Sequence, residues 1–270
     1  MLISNRENYM SYLHLNGSRL YYDTEGNGCP IVLVHDGLCH CEVWNGVWEI
    51  LKKRFRVVRY DRRGYGKSDV PTEPYLEMED LHRLIEHLKL EKVTLVGSSA
   101  GGGLCIHYAL DYPENVSSLV LVGAVVTGFD YSEHFQKRGD EIMRPLLEEG
   151  NVQKCIEKWT DDPYLFGHHS KDSRVKFKAL MTLNPQNLTH DCGFTYWPRN
   201  PALPRLREIK IPTLLITGEF DIPDVHAHAG AIQAGIKGTR RVVIEDSGHL
   251  MYLEKPDRFS GIITDFLENA

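Results

Sequence analysis

The stretch "VTLVGSSAGGGLCIHYAL", Val93 to Leu110, runs as an apolar β-branched strand, stops at glycine, and resumes with a helical pattern. Between the two lie Gly97, Ser98, Ser99, Ala100 and three further glycines. Gly97-Ser98-Ser99-Ala100-Gly101 fits G-x-S-x-G in the context that pattern requires, after a strand and before a helix. The central residue of such a turn is forced into an unfavourable backbone geometry, and its neighbours two positions away must be small because strand and helix nearly touch. Ser99 is therefore the candidate nucleophile. Ser98 occupies the adjoining position and points elsewhere. A phosphate-binding turn would read G-x-x-x-x-G-K-[ST] or G-x-G-x-x-G, and neither is present.

Similar apolar runs recur on both sides: "IVLVH" (31–35), "RVVRYD" (56–61), "VSSLVLVGA" (116–124), "PTLLITGEFD" (212–221) and "RRVVIEDS" (240–247). Short, nearly continuous runs of this kind suit parallel strands covered on both faces. Helical patterns at 43–53, 78–89, 100–112, 225–236 and 256–267 separate most of them, so an open α/β sheet with its ligand site at the carboxyl ends of the strands is predicted. Near the amino terminus, Asn16-Gly17 between two alternating stretches predicts a hairpin with a primed turn. Residues 128–204 break the alternation: they hold helical patterns at 134–149 and 151–159 and no convincing strand. A structureless loop of that length is improbable, so this segment reads as an inserted helical cap on a core of residues 1–127 and 205–270.

The chain has 270 residues, 42% of them hydrophobic, and a net charge of −6 with lysine and arginine dispersed. One large globular domain fits these totals. Nucleic acid is excluded as a partner for want of a concentrated basic footprint. The opening "MLISNRENYM" lacks the apolar core of a secretory signal, and no window reaches the ~18 apolar residues of a membrane span, so a cytoplasmic protein is expected, with no membrane partner. The six cysteines have no framework spacing and are read as reduced thiols. Cys39-His40-Cys41 lacks a second pair, and no metal is expected there.

A serine needs a base oriented by a third group. Of thirteen histidines, His249 in "EDSGHLMYLEKP" follows the last strand and emerges at the same edge as Ser99. His35 reads as a loop-ordering residue. The acid comes from "ITGEFDIPD": Asp221 is preferred over Asp224, then Glu219, with Asp130 the outside candidate. The order Ser99, Asp221, His249 is the one expected for this architecture.

These segments together resemble the α/β hydrolase superfamily, of the capped kind that includes carboxylesterases, enol-lactonases and cofactor-free haloperoxidases. "VLVHDGLCHCEVW" resembles its oxyanion loop, "YDRRGYGKSD" its D-x-R-G-x-G-x-S segment, "VGSSAGG" its nucleophile elbow, "TGEFDIPD" its acid loop and "DSGHL" its histidine loop. The resemblance implies a mostly parallel, doubly wound eight-stranded sheet with helices on both faces and an inserted cap. It implies a Ser-His-Asp hydrolase without a cofactor, acting on a small-molecule ester or lactone. Carbon–carbon bond hydrolysis, perhydrolysis or acyl transfer on the same triad are the alternatives, followed by a non-catalytic ligand-binding protein. Serine at the elbow separates the chain from dehalogenases and epoxide hydrolases, which carry aspartate. Ser98 and Ala100 beside Ser99 depart from proline iminopeptidases, which carry tryptophan there. The oxyanion donors are the N–H groups of Ala100 and Gly37, with Leu38 the alternative, because Asp36 fills a slot usually held by glycine. Asp36, Leu38, Trp159, Phe166, Trp197 and Leu250 are the candidate pocket residues, and an Asp36 facing the pocket would disfavour anionic substrates. The "DRRGYGKSD" loop is read as structural, with Asp61 and Arg63 paired internally.

Overall fold

The computed structural model describes residues 11–189, 195–196 and 200–269. Strands β1 (Ser11–Leu15) and β2 (Ser18–Glu25) form the hairpin, with Leu15 opposite Ser18 across Asn16-Gly17. Gly17 takes φ +70° while Asn16 does not take a positive φ, so the turn is not of the primed type predicted. The chain continues through β3 (Pro30–Val34), α1 (Asn45–Leu51), β4 (Arg56–Tyr60), the two-residue β5 (Tyr75–Leu76), α2 (Glu77–His87), β6 (Val93–Ser98), α3 (Ala100–Asp111) and β7 (Val116–Val122). Next come α4 (Glu133–Glu149), α5 (Val152–Asp161), α6 (Lys171–Leu183), α7 (Gln186–Thr189) and the two-residue β8 (Thr195–Tyr196). The described chain ends through β9 (Thr213–Gly218), α8 (Pro223–Gly235), β10 (Arg240–Ile244), α9 (Met251–Glu254) and α10 (Pro256–Glu268).

Eight strands form one sheet in the order β1-β2-β4-β3-β6-β7-β9-β10. The hairpin pair β1·β2 and the pair β2·β4 are antiparallel, and the rest of the sheet is parallel. Every residue of β6 and β9 is buried, which explains why these strands read as unbroken apolar runs rather than alternating ones. Leu81, Leu84, Ile106, Tyr108 and Ile232 pack α2, α3 and α8 into one core cluster. A second cluster holds Val47, Leu51, Phe259 and Ile263 of α1 and α10. The predicted helices appear with shifted ends; the first begins as a 3-10 turn, Cys41–Trp44, before α1.

Helices α4 to α7 lie between β7 and β9. Helix α6 was not foreseen, and β8 pairs in parallel with β5 in a segment where no strand was expected. Phe177 and Met181 of α6 join Ile156 of α5 in the second core cluster beside Val96 and Val120, so these helices are anchored on the sheet. No helix among the described residues is long and apolar enough to cross a membrane.

Candidate active site

Ser99 stands between β6 and α3 at φ +53° and ψ −118°, a conformation that L-residues rarely adopt. Its N–H donates to Val122 O at 2.9 Å, which ties the bend to β7. The flanking glycines are obligatory on steric grounds. A Cβ at Gly97 would lie 2.6 Å from both Cys105 Sγ and Gly101 O, and one at Gly101 would lie 2.3 Å from His35 O.

His249 leaves β10 through the loop that leads to α9. Its Nδ1 lies 2.7 Å from Asp221 Oδ1, and both side chains are almost wholly buried. A carboxylate only accepts, so Nδ1 carries the proton and Nε2 of the neutral ring is left as an acceptor. Ile222 N–H also donates to Asp221 Oδ1, at 2.8 Å. The alternative acids are engaged elsewhere or exposed: Asp224 accepts from the Ser132 N–H and hydroxyl, Glu219 accepts from the Asp246 N–H, and Asp130 faces solvent. Burial pulls the His249 imidazolium towards deprotonation, yet the charge and hydrogen bond of Asp221, aided by the charge of Asp36, prevail over burial and Arg138. The pKa of His249 is raised. His35 is buried in the loop after β3, where its Nε2 accepts the Arg62 N–H at 3.0 Å.

Ser99 and His249 share the wall of one cavity of about 180 Å³. No hydrogen bond joins their side chains among the described residues, an arrangement often met before substrate tightens an active site. Gly37 and Ala100 line the same cavity, and their N–H groups have no partner among the described residues. A Cβ at Gly37 would meet Ala100 Cβ at 3.8 Å, so the two residues lie close together. The Leu38 N–H is already committed, donating to Asp36 Oδ1 at 2.6 Å. A larger depression of about 510 Å³, lined by Pro30, Arg56 and Lys92, lies at the opposite, amino edge of the sheet.

Among the pocket residues read from the sequence, Asp36, Leu38 and Trp159 line the cavity. Two are placed elsewhere. Phe166 is buried against Phe177 and Arg174, and Leu250 is wholly buried in the same core cluster. Trp197 lies outside the described residues. Asp36 does not present a free carboxylate: its Oδ1 accepts the N–H groups of Leu38 and Cys39, and its Oδ2 accepts the Tyr252 hydroxyl at 2.7 Å. The sequence reading missed Tyr131, Phe135 and Arg138, which α4 and the segment before it bring to the cavity, and Leu165. It also missed Gly123, at φ +50°, where a Cβ would lie 2.9 Å from the His249 ring and 3.1 Å from Asp221 Oδ2.

Asp61 and Arg63 do not pair with each other. Asp61 accepts the N–H groups of Cys41 and Lys67, Arg63 pairs with Asp80, and Arg62 forks onto Glu77 while donating to Asp36 O at 3.0 Å. The segment braces the loop that carries Gly37. His40, Cys41 and Asp61 bring ligand-type atoms within 4.8 Å of one another. Burial pushes the Cys41 thiol well up, His40 Nε2 is engaged by Asn184, and both Asp61 oxygens hold backbone amides.

Several known proteins share this architecture. The chain is 27% identical to a putative 2-succinyl-6-hydroxy-2,4-cyclohexadiene-1-carboxylate synthase of Bacillus subtilis (strain 168), over 88% of this chain and 89% of that one. It is 26% identical to a proline iminopeptidase of Lactobacillus crispatus (strain ST1), over 93% and 95% respectively. The solved structure of the esterase EaEST from Exiguobacterium antarcticum superposes with a TM-score of 0.82 at 25% identity, covering 96% of this chain and 99% of that one. Residues 30–256 match the profile of a single family, and the chain accordingly belongs to the alpha/beta hydrolase fold family.

Proposed function

We propose that the protein is a serine hydrolase that cleaves small to medium carboxylic esters or lactones through an acyl-enzyme. The observation that carries this reading is the strained Ser99 on the wall of a cavity shared with His249, whose Nδ1 is bonded to buried Asp221. Ser99 Oγ attacks the carbonyl carbon as neutral His249 Nε2 takes its proton. Asp221 holds the tautomer and stabilises the imidazolium. Negative charge on the carbonyl oxygen falls to the free N–H groups of Gly37 and Ala100, each worth roughly 3–4 kcal/mol in a site of this type. Collapse breaks the bond to the leaving oxygen, which receives the proton from Nε2. Water repeats the sequence and releases the acid.

The relatives named as an esterase and as a proline iminopeptidase define two arms for assay. The reading expects ester cleavage, because Ser98 and Ala100 flank the nucleophile. The five described cysteines are free thiols, which suits a cytoplasmic setting. A fluorophosphonate probe followed by peptide mapping tests the mechanism: the label is expected on Ser99. Ser99→Ala is expected to abolish labelling and to slow cleavage of a short-chain p-nitrophenyl ester by at least about a thousandfold. Labelling of another hydroxyl, or equal rates for the two proteins, overturns the proposal.

A further inference from the structure

Two residues that the helices between β7 and β9 lend to the cavity wall each carry a buried donor with no acceptor among the described residues. Arg138 on α4 is 9% exposed, and its Nε donates to Asp162 Oδ2 at 2.7 Å. Its Nη2 is buried with no partner among the described residues. Trp159 on α5 lines the same cavity, and its Nε1 is likewise buried without a partner. The centre of the guanidinium lies 5.4 Å from the Trp159 ring and 5.5 Å from the Tyr164 ring, so aromatic faces fix its plane. Leaving a buried donor unsatisfied costs about 1–3 kcal/mol, and native proteins contain few such groups. Both donors here belong to residues that line the cavity holding Ser99 and His249, which marks where a ligand would bring the acceptors.

We infer that Arg138 and Trp159 form a subsite for a carboxylate, so that the ester or lactone taken by this protein carries a carboxylate on the side facing the cap. The inference rests on the proposed hydrolase reading for the reaction, though not for binding. A carboxylate offers two oxygens, one for each of two donors held on different helices, whereas a neutral carbonyl offers one. The guanidinium is always charged and matches carboxylate geometry. Asp162 balances that charge through Nε alone, and its other oxygen accepts the Tyr164 N–H at 2.9 Å. Asp36, the carboxylate that lines the cavity beside Gly37, has both oxygens occupied within the protein and does not compete for Arg138.

Monomethyl glutarate and methyl pentanoate, which differ by a carboxylate in place of a methyl group, are the probes. Calorimetric titration of the Ser99→Ala protein is expected to show monomethyl glutarate binding at least about tenfold more tightly, the scale of one charge-assisted hydrogen bond. That preference is expected to disappear when Arg138→Met is added. Removing Arg138 alone leaves Asp162 buried without its partner, so Arg138→Met/Asp162→Asn, which removes both charges, serves as the second variant wherever the first fails to fold. With Ser99 intact, the ratio of kcat/KM for the two esters should fall in parallel. Equal binding of the two ligands, or a preference that survives Arg138→Met in either background, overturns the subsite. Ser99-dependent hydrolysis without carboxylate preference leaves the hydrolase reading standing and removes the subsite. Arg138-dependent binding without Ser99-dependent hydrolysis does the reverse.

Discussion

At the scale of single residues, His249 answers two opposed requirements. Protonated, it completes an ion pair with Asp221 at 2.7 Å; neutral, it is the base of the proposed mechanism. Its pKa is raised in the fold, because Asp221, with the charge of Asp36, prevails over burial. A group raised in the native state stabilises it fully below the unfolded value, near 6.5, and loses that contribution as pH rises through the folded value. Activity runs the other way. The acid limb of kcat/KM is expected to have its midpoint above about 6.5, and Asp221→Asn is expected to shift it downward while lowering kcat by up to about 10⁴-fold. A pH–rate profile from pH 5 to 9 reads both, and a flat profile would assign the base to another residue. Gly123 belongs to this scale too, since its missing side chain leaves the space in which the His249 ring and Asp221 Oδ2 sit.

Among the elements, the bend between β6 and α3 and the loop after β3 must keep Ser99, Ala100 and Gly37 in register. The first is held by the Ser99 N–H to Val122 O bond and by the contact of Gly97 and Gly101 with their neighbours. The second is held from below by Arg62, which donates from its backbone to His35 Nε2 and from its side chain to Asp36 O and Glu77. The Arg62 and Glu77 side chains are 6% and 7% exposed. Glu77→Ala therefore strands a buried guanidinium and is expected to lower stability by about 3–5 kcal/mol in urea unfolding. A loss below about 1 kcal/mol would show that the pair is not a main brace of this loop. Because Asp36 O shifts with Arg62, kcat should fall more than KM rises.

Across the whole molecule, the site is completed by segments far apart in the chain. The His249 N–H donates to Tyr164 O and the Leu250 N–H to Leu165 O, which laces the histidine loop to the connection between α5 and α6. Glu254 clamps the same junction: one oxygen accepts the Gly167 N–H at 2.7 Å and the other the Gly248 N–H at 2.8 Å. Glu254→Gln replaces one acceptor by a donor facing an amide. It is expected to lower the melting temperature, at a cost of about 1–3 kcal/mol, and to reduce kcat by loosening His249. Calorimetry with parallel kinetics checks this, and an unchanged kcat would separate the junction from the chemistry.

The sequence by itself determined the sheet, the bend and the order of the three segments that carry Ser99, Asp221 and His249. Fully buried strands leave continuous apolar runs, a cramped strand-to-helix turn admits only glycine, serine and alanine, and a residue directly after a parallel strand emerges at the carboxyl edge. It did not determine the lining of the cavity. Leu165 and Phe166 are neighbours in the same core cluster, yet only Leu165 also reaches the cavity, and of His249 and Leu250 only His249 does. Arg138 reads in the sequence as one charge on an amphipathic helix. The face of α4 turned towards Ser99 depends on how α4 packs on α5, and α6 escaped notice because Phe177 and Met181 alone supply its large buried apolar side chains while Val175 and Leu183 are exposed. Tertiary packing decided these positions because side-chain direction, unlike strand burial, leaves no periodic trace when neighbouring positions serve opposite surfaces.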